Sequence, residues 1–376
     1  MKRNISMLII LFVCIFAAAC AVRDNSPKEV LLQIYQDTLK PFDIKPLSTA
    51  TQPEEYAFLL TTYSGADAAV AVGQLDNYTN IYTTPNQCAV SDICVHENYI
   101  LWFESQTLTD ENSRYKLYLY DHKTKLQAVI FEEEFNHHDG WYVTGRFGIY
   151  KHKVYWLHND FAQKTSEILV YDIAAKTQDV LLSAPFLNNS EFDAAVSCLK
   201  VHDNLLVYNQ QETVGQKLLV FDLEKNEKAQ EALLDSAVGP VFAVDFEEKT
   251  DTFALYYSAL NPDGTEKNEA VGVINTNAPE LLELFSLNPN HYLYRERLSI
   301  SGCNIYYDVM ANVSGHIEDH YSSAIYNYQN HDKYLREYTF NTMLIEDVVY
   351  FLSFEKDQGA GKTFFYKGQV MDAYTK

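Results

Sequence analysis

The sequence predicts an all-β fold and, within that class, a β-propeller of seven four-stranded blades. Strand-forming aromatic residues are abundant, with 28 Tyr and 21 Phe against 14 Gly. Two short apolar phrases alternate along the chain, and their copies recur about every 49 residues, a period typical of propeller blades. The apolar runs are nearly continuous, as expected of strands that are buried on both faces between neighbouring blades.

The first phrase is an apolar strand that ends in Asp, Asn or another polar residue and enters a turn. Its copies lie at residues 70–73, 117–121, 169–172, 219–222, 272–275, 324–327 and 364–367. The second phrase begins with a polar residue and continues as an aromatic apolar run. Its copies lie at residues 55–58, 98–102, 153–156, 204–208, 252–256, 304–307 and 347–351. We expect the two phrases to form the third and second strands of each blade; six or eight blades stay open because the terminal copies are degenerate.

The N-terminus predicts an exported, lipid-anchored protein. A basic start is followed by an apolar stretch over residues 5–16 and by three alanines that end at Cys20, the order found in secretory signal peptides. The Cys directly after small residues resembles bacterial lipoproteins, which implies cleavage before Cys20, lipidation of its thiol and a place in the bacterial cell envelope facing outside the cytoplasm. An uncleaved anchor helix over residues 5–22 is the alternative, with the same topology.

Three segments follow from this reading. Residues 1–19 are the signal peptide, residues 20–41 a lipidated tether with a short helix, and residues 42–376 the propeller. The helix is predicted over residues 27–39, because Ser26 and Glu29 have capping-box spacing, Pro27 occupies the first helical position, and an apolar stripe follows.

Charge and cysteine content limit the partners and the chemistry. The formal net charge of -22 argues against nucleic acid, since binding it requires Lys and Arg to neutralise phosphates. In an oxidising compartment Cys88 and Cys94 are the pair that closes the shortest disulfide loop. Cys198 and Cys303 are expected to be buried small hydrophobic residues. No cofactor is expected.

The turn that follows the first phrase resembles the TolB-like and quinoprotein-like propeller families. The resemblance covers residues 42–374 and implies packing and turns, without implying chemistry. Quinoprotein propellers carry a Trp in each repeat, whereas this chain has only Trp102, Trp141 and Trp156. We therefore reject a pyrroloquinoline quinone site.

An arginine cluster is the candidate ligand site. Arg146, Arg295 and Arg297 lie where the innermost strand of a blade should begin, near the mouth of the central channel. A guanidinium group there can bind an anion bidentately, and Trp141 and Tyr142 offer a stacking platform. The alternative is that these arginines pair with acids, for which the sequence offers Asp92, Asp193 and Glu296.

Two histidine clusters are candidate metal sites. His137 and His138 lie between two blades, and His316 and His320 have the i, i+4 spacing of a divalent-metal site if their loop is helical. Histidines in polar loops are more often solvated, so no metal is predicted.

Two classes of function survive. The first is a membrane-tethered propeller that binds a protein, peptide or acidic glycan, or acts as a scaffold, without catalysis. The alternative is an extracellular polysaccharide-active enzyme, a lyase or hydrolase, with its site at the channel mouth. The absence of a nucleophile elbow, a P-loop and an H-E-x-x-H motif favours the first.

Overall fold

A computed structural model describes residues 39–41, 56–61, 68–74, 77–85, 88–96, 98–109, 111–136, 146–187, 195–212, 215–287, 291–293, 298–311, 321–331, 333–337, 339–345, 348–354 and 363–369. These residues form β-strands almost throughout, and the only helical element among them is a single 3-10 turn at Glu248–Thr250. The all-β prediction is therefore confirmed. In the part of the chain described, no helix is long and apolar enough to cross a membrane.

The described strands form seven sheets. The first contains β2 (Tyr56–Thr61), β3 (Ala68–Gln74) and β4 (Asn77–Thr83). The second contains β5 (Cys88–His96), β6 (Tyr99–Thr107), β7 (Asn112–Asp121) and β8 (Leu126–Asn136). The third contains β9 (Phe147–Tyr150), β10 (Lys153–Asp160), β11 (Thr165–Asp172) and β12 (Thr177–Pro185). The fourth contains β13 (Leu199–His202), β14 (Leu205–Gln211), β15 (Gln216–Asp222) and β16 (Glu227–Leu234).

The remaining three sheets follow in chain order. The fifth contains β17 (Val238–Glu247), β18 (Thr252–Leu260), β19 (Glu266–Asn275) and β20 (Ala278–Ser286). The sixth contains β21 (His291–Leu293), β22 (Ser299–Ser301), β23 (Asn304–Ala311), β24 (Tyr321–Asn327) and β25 (Lys333–Glu337), and β1 (Leu39–Pro41) pairs with β25 in parallel. The seventh contains β26 (Thr339–Ile345), β27 (Val348–Phe354) and β28 (Thr363–Gln369).

Within each sheet, neighbours in sequence pair antiparallel, and successive sheets contact one another through their first strands. β5 contacts β9, β9 contacts β13, β13 contacts β17, β17 contacts β22, and β22 contacts β26. Antiparallel sheets that stack face to face through their innermost strands are the blades of a propeller.

The two predicted phrases occupy the expected strands in five sheets. In the second to fifth sheets and in the seventh they form the second and third strands. In the sixth they form β23 and β24, which follow two short strands, β21 and β22, that both pair with β23. In the first they form the first and second of three strands. The predicted helix lies outside the described residues except for Leu39. That residue begins β1, so the prediction is wrong there, because the chain at this point pairs with the edge of the sixth sheet.

The recurring Asp or Asn at the end of the third strand makes a turn. Oδ1 of Asp222 accepts hydrogen bonds from the backbone N–H groups of Glu224 (2.9 Å) and Lys225 (3.0 Å). The same bonds recur at Asp121, Asp172 and Asn327. Four residues after each acceptor the backbone has positive φ, at Lys125, Lys176, Asn226 and His331. The repeated phrase therefore specifies an Asx turn.

The cysteine prediction needs correction. Cys88 and Cys94 lie on the same strand, β5, and both are free thiols. Six residues of extended strand separate their Cα atoms by about 20 Å, whereas a disulfide requires less than about 7 Å. A disulfide between Cys88 and Cys94, which the sequence left open, is therefore incompatible with β5. Cys198 is buried as predicted, but Cys303 is only half-buried.

Candidate functional site

The edge at which the first strands begin carries the candidate site, and we call it the upper edge. Arg146 immediately precedes β9 there, and only 7% of its surface is exposed. The backbone N–H of Leu157 donates to the carbonyl of Arg146 (3.0 Å), so the two residues lie opposite each other and share a face of the third sheet. Gly148 shares that face and contacts Val201 of the fourth sheet. Arg146 therefore faces the interface between the third and fourth sheets.

Cys198 precedes β13 of the fourth sheet, where it is influenced by the charge of Arg146, but it packs with residues of the fourth and fifth sheets. The thiol is 3% exposed and donates to Oδ1 of Asn209 (3.1 Å). Burial raises the pKa of Cys198 to about 12, although the positive charge of Arg146 acts in the opposite direction. The thiol is therefore neutral at physiological pH and is a poor nucleophile.

Two polar side chains on the Arg146 face are buried without a hydrogen-bond partner. Asn159 lies two residues beyond Leu157 on β10 and pairs across the ladder with Ser166. Ser166 is completely buried, and neither its Oγ nor Oδ1 of Asn159 has a hydrogen-bond partner. Unpartnered buried polar atoms are rare, and Oδ1 of Asn159 and Oγ of Ser166 could hydrogen-bond a group that entered this interface.

Asn209 organises the neighbouring loop. Its Oδ1 accepts from the backbone N–H groups of Ser197 (2.9 Å) and Cys198 (2.8 Å), while its Nδ2 donates to Oγ of Ser197 (2.8 Å). Gln216 extends the network by donating from Nε2 to the carbonyl of Gly239 (2.6 Å). These bonds fix the start of β13 against the fifth sheet. We refer to Arg146, Asn159 and Ser166, which face the interface of the third and fourth sheets, together with Cys198 and Asn209, which face the fifth sheet, as the Arg146 cluster.

Only part of the predicted site can be located. Arg146 lies at the start of an innermost strand, as expected. Arg297, Arg295, Trp141 and Tyr142 lie outside the described residues, so their proximity to Arg146 stays a prediction. Both histidine clusters, at 137–138 and 316–320, also lie outside them. Within the described ranges, no group of three His, Cys, Asp or Glu side chains is arranged to hold a metal ion.

Two other cations of the described chain are held by acids. Arg114 lies on β7 of the second sheet. It pairs with Glu134, and its Nε lies 3.5 Å from Oε1 of Glu132; both acids are on the outer strand, β8. Lys200 lies on β13 and donates to Oδ2 of Asp245 (2.8 Å) and to Oγ of Ser299 (2.6 Å). Lys200 thereby joins the innermost strands of the fourth, fifth and sixth sheets.

Sequence reasoning missed Asn159, Ser166 and Asn209. Each flanks a connection between a second and a third strand, the loops that the sequence associates with ligand sites. The sequence signal that could have identified these three residues is a polar residue that interrupts an apolar strand next to such a loop. The face on which it lies depends on strand register, which the sequence leaves open.

Comparisons with known proteins report distant similarity in fold. No family model matches the chain, and no curated protein matches it by sequence. The β-propeller domain of the trilobed protease from Pyrococcus furiosus is 12% identical, covers 76% of this chain and 82% of its own, and has a TM-score of 0.44. TolB from Acinetobacter baumannii is 11% identical over 76% of this chain and 65% of its own, with a TM-score of 0.40.

A third solved structure is dipeptidyl peptidase 4 from Porphyromonas gingivalis. It is 10% identical, with a TM-score of 0.42, and the match covers 80% of this chain and 50% of the peptidase. This chain therefore spans about half the length of that enzyme. Similarity at this level assigns no activity to the chain.

Proposed function

We propose that the protein is a lipid-anchored, extracytoplasmic propeller that binds an anionic group of a protein, peptide or glycan at the Arg146 cluster, without catalysis. The supporting observation is a buried guanidinium beside two buried polar atoms that lack hydrogen-bond partners. Arginine remains charged when buried, so it favours an acceptor such as a carboxylate that can bind both arms of the guanidinium.

The chemistry of the cluster favours binding over catalysis. Cys198 is its one thiol, and burial keeps that thiol protonated. Asn159, Ser166 and Asn209 are neutral groups that can orient a ligand by hydrogen bonds. A binding site built from neutral polar groups and one cation needs no proton acceptor.

We also propose that the seven sheets are the seven blades of one closed ring. β2 of the first sheet contacts β28 of the seventh, in addition to the contacts between consecutive sheets. The first sheet has three described strands, and closing it requires a fourth strand from another part of the chain. A crystal structure that shows an open ring or a different number of blades would contradict this proposal.

Ligand binding is tested by a thermal-shift screen of acidic oligosaccharides, such as oligogalacturonate, and acidic peptides. A ligand at 100 times its dissociation constant should stabilise the protein by about 2.7 kcal/mol. Affinity should fall only weakly as salt is raised, because a buried charge such as that of Arg146 is screened much less than an exposed one. Product formation in the same samples would favour the polysaccharide-active enzyme instead.

Arg146→Lys is the informative variant, because it keeps the charge but loses bidentate geometry. We expect at least about a tenfold loss of affinity, which corresponds to about 1.4 kcal/mol. Arg114→Lys is the matched control, since Arg114 lies on β7 of the second sheet, away from the innermost strands, and pairs with Glu134 of the outer strand. Equal binding by both variants and the wild type would show that Arg146 does not contact the ligand.

The anchor is tested separately. We expect mass spectrometry of the native protein to find an acylated Cys20 as the first residue, and Cys20→Ala to move the protein from the detergent phase to the aqueous phase. A water-soluble wild type that retains residues 1–19 would contradict the lipid anchor.

A further inference from the structure

His158 lies between two carboxylates at the interface of the second and third sheets. Its Nε2 is 3.2 Å from Oε2 of Glu133 on β8, and its Nδ1 is 3.5 Å from Oε2 of Glu167 on β11. Only 12% of the imidazole is exposed, against 30% and 24% of the two carboxylate side chains. The ring of Phe131, also on β8, packs edge-on against the imidazole with ring centres 5.5 Å apart. His158 therefore joins the outer strand of one sheet to the next sheet.

Within the described ranges, the other titratable groups that face this point are acids or phenols. Tyr115 lies opposite Glu133 in the second sheet. Asp160 lies two residues beyond His158 on the same face of β10. Ser183 on β12 donates to the far oxygen of Glu167 (3.4 Å), which fixes that carboxylate. Arg114 lies opposite Glu134, which follows Glu133 on β8. The side chains of Arg114 and Glu134 therefore lie on the other face of the second sheet, away from His158.

The proton count decides how many carboxylates His158 can bind. An imidazolium carries two N–H donors and can bind Glu133 and Glu167 together, whereas a neutral imidazole has one donor. Loss of the proton therefore places a ring lone pair against one carboxylate. It also leaves two partly buried negative charges without their shared cation.

We propose that His158 is a pH-sensitive contact that holds the second and third sheets together when protonated and weakens their interface when neutral. This goes beyond ligand binding, because it concerns the interface itself. The same position of the preceding repeat, the sixth residue of the second strand, is the buried Glu104, which binds Tyr82 of the sheet before it. The sixth residue of the second strand therefore makes a polar contact with the preceding sheet in both the second sheet (Glu104) and the third sheet (His158).

The sign of the pH effect follows from the environment of the imidazole. Burial lowers the pKa of His158, but the bonds to Glu133 and Glu167 outweigh it, so the pKa lies above the ordinary value. The stabilising contribution is therefore fully present below about pH 6.5, the pKa in the unfolded chain, and is lost as pH rises through the folded-state pKa.

Three measurements on the full chain test this. NMR titration should show the His158 imidazole losing its proton above its ordinary pKa. Between pH 5.5 and 8.5 the melting temperature of the wild type should fall by about 2 °C more than that of His158→Gln. After correction for the intrinsic rise of the exchange rate with pH, the protection of amides in the ladder of β8 should fall about fivefold over the same range in the wild type only.

The control is His152→Gln, which removes an exposed histidine from the turn before β10 and should keep the pH dependence of the wild type. Equal pH dependence in wild type and His158→Gln would overturn the proposal. So would an imidazole that titrates at or below its ordinary pKa, a result that the wild type alone supplies even if a variant fails to fold.

Discussion

Gly148 and Val201 bring the innermost strands of the third and fourth sheets into direct contact. A methyl group added to Gly148 would lie 2.5 Å from Cβ of Val201 and 2.8 Å from its Cγ2. No other residue type fits at Gly148 without moving one of the two strands, because Cβ is fixed to the backbone and cannot turn away. This close approach also sets the spacing of the interface above which Arg146 lies.

The first prediction follows from this contact. Gly148→Ala should lower the free energy of unfolding by about 1–3 kcal/mol, the usual cost of overpacking, measured by urea denaturation. Gly148→Ala combined with Val201→Ala should recover part of the loss, since the Cγ2 contact is removed. A Gly148→Ala protein as stable as the wild type would show that the two sheets adjust freely.

The second prediction concerns the charged pair between innermost strands. Asp245 is almost fully buried and accepts from Lys200 and from the backbone N–H of Ile300 (3.0 Å). Lys200→Met should cost about 3–5 kcal/mol, because it leaves a buried carboxylate without its cation. Lys200→Met with Asp245→Asn should cost clearly less. Lys217→Met, which breaks a more exposed pair with Glu212, should cost about 1 kcal/mol or less. Equal losses in the two lysine variants would contradict this assignment.

The third prediction tests the Asx turn. Asp222→Ala should destabilise the protein, whereas Asp222→Asn should retain the turn, since Asn327 makes the same bonds in the sixth sheet. The hydrogen bonds from Lys225 hold the pKa of Asp222 well below its ordinary value. Its contribution is therefore present above the unfolded pKa of about 3.9 and is lost as pH falls below it. Thermal unfolding between pH 2 and 6 should show this acid dependence reduced in Asp222→Asn.

These turns explain why the fold could be predicted. The Asp and Asn residues of the first phrase recur at a regular spacing along the sequence. Each of them ends a strand because its side chain accepts hydrogen bonds from backbone N–H groups of the following turn. Local hydrogen bonds of this kind are encoded in consecutive residues. Sequence alone was therefore sufficient to locate the two strands of each sheet that carry the phrases.

The candidate site could be predicted only in part, because it depends on contacts between sheets. Arg146 was identified by its place before an innermost strand. Its neighbours Asn159 and Ser166 come from two further strands and meet through the register of the third sheet. The possibility of a Cys88–Cys94 disulfide stayed open for a related reason: the two residues are close in sequence, but an extended strand holds the two thiols apart.

The last prediction concerns the thiols of the propeller. Burial raises the pKa of Cys94 to about 11 and that of Cys198 to about 12, so neither forms an appreciable amount of thiolate at pH 8. Cys94 and Cys303 are both half-buried, and we expect an alkylating reagent to leave Cys94 and Cys198 unmodified in the folded protein because of their raised pKa, and to modify Cys303 before them. In denaturant without a reductant, all four thiols, including Cys88, should react, because none is in a disulfide. Peptide mass spectrometry of Cys20→Ala measures each site, and a Cys88–Cys94 crosslinked peptide would contradict the strand assignment of β5.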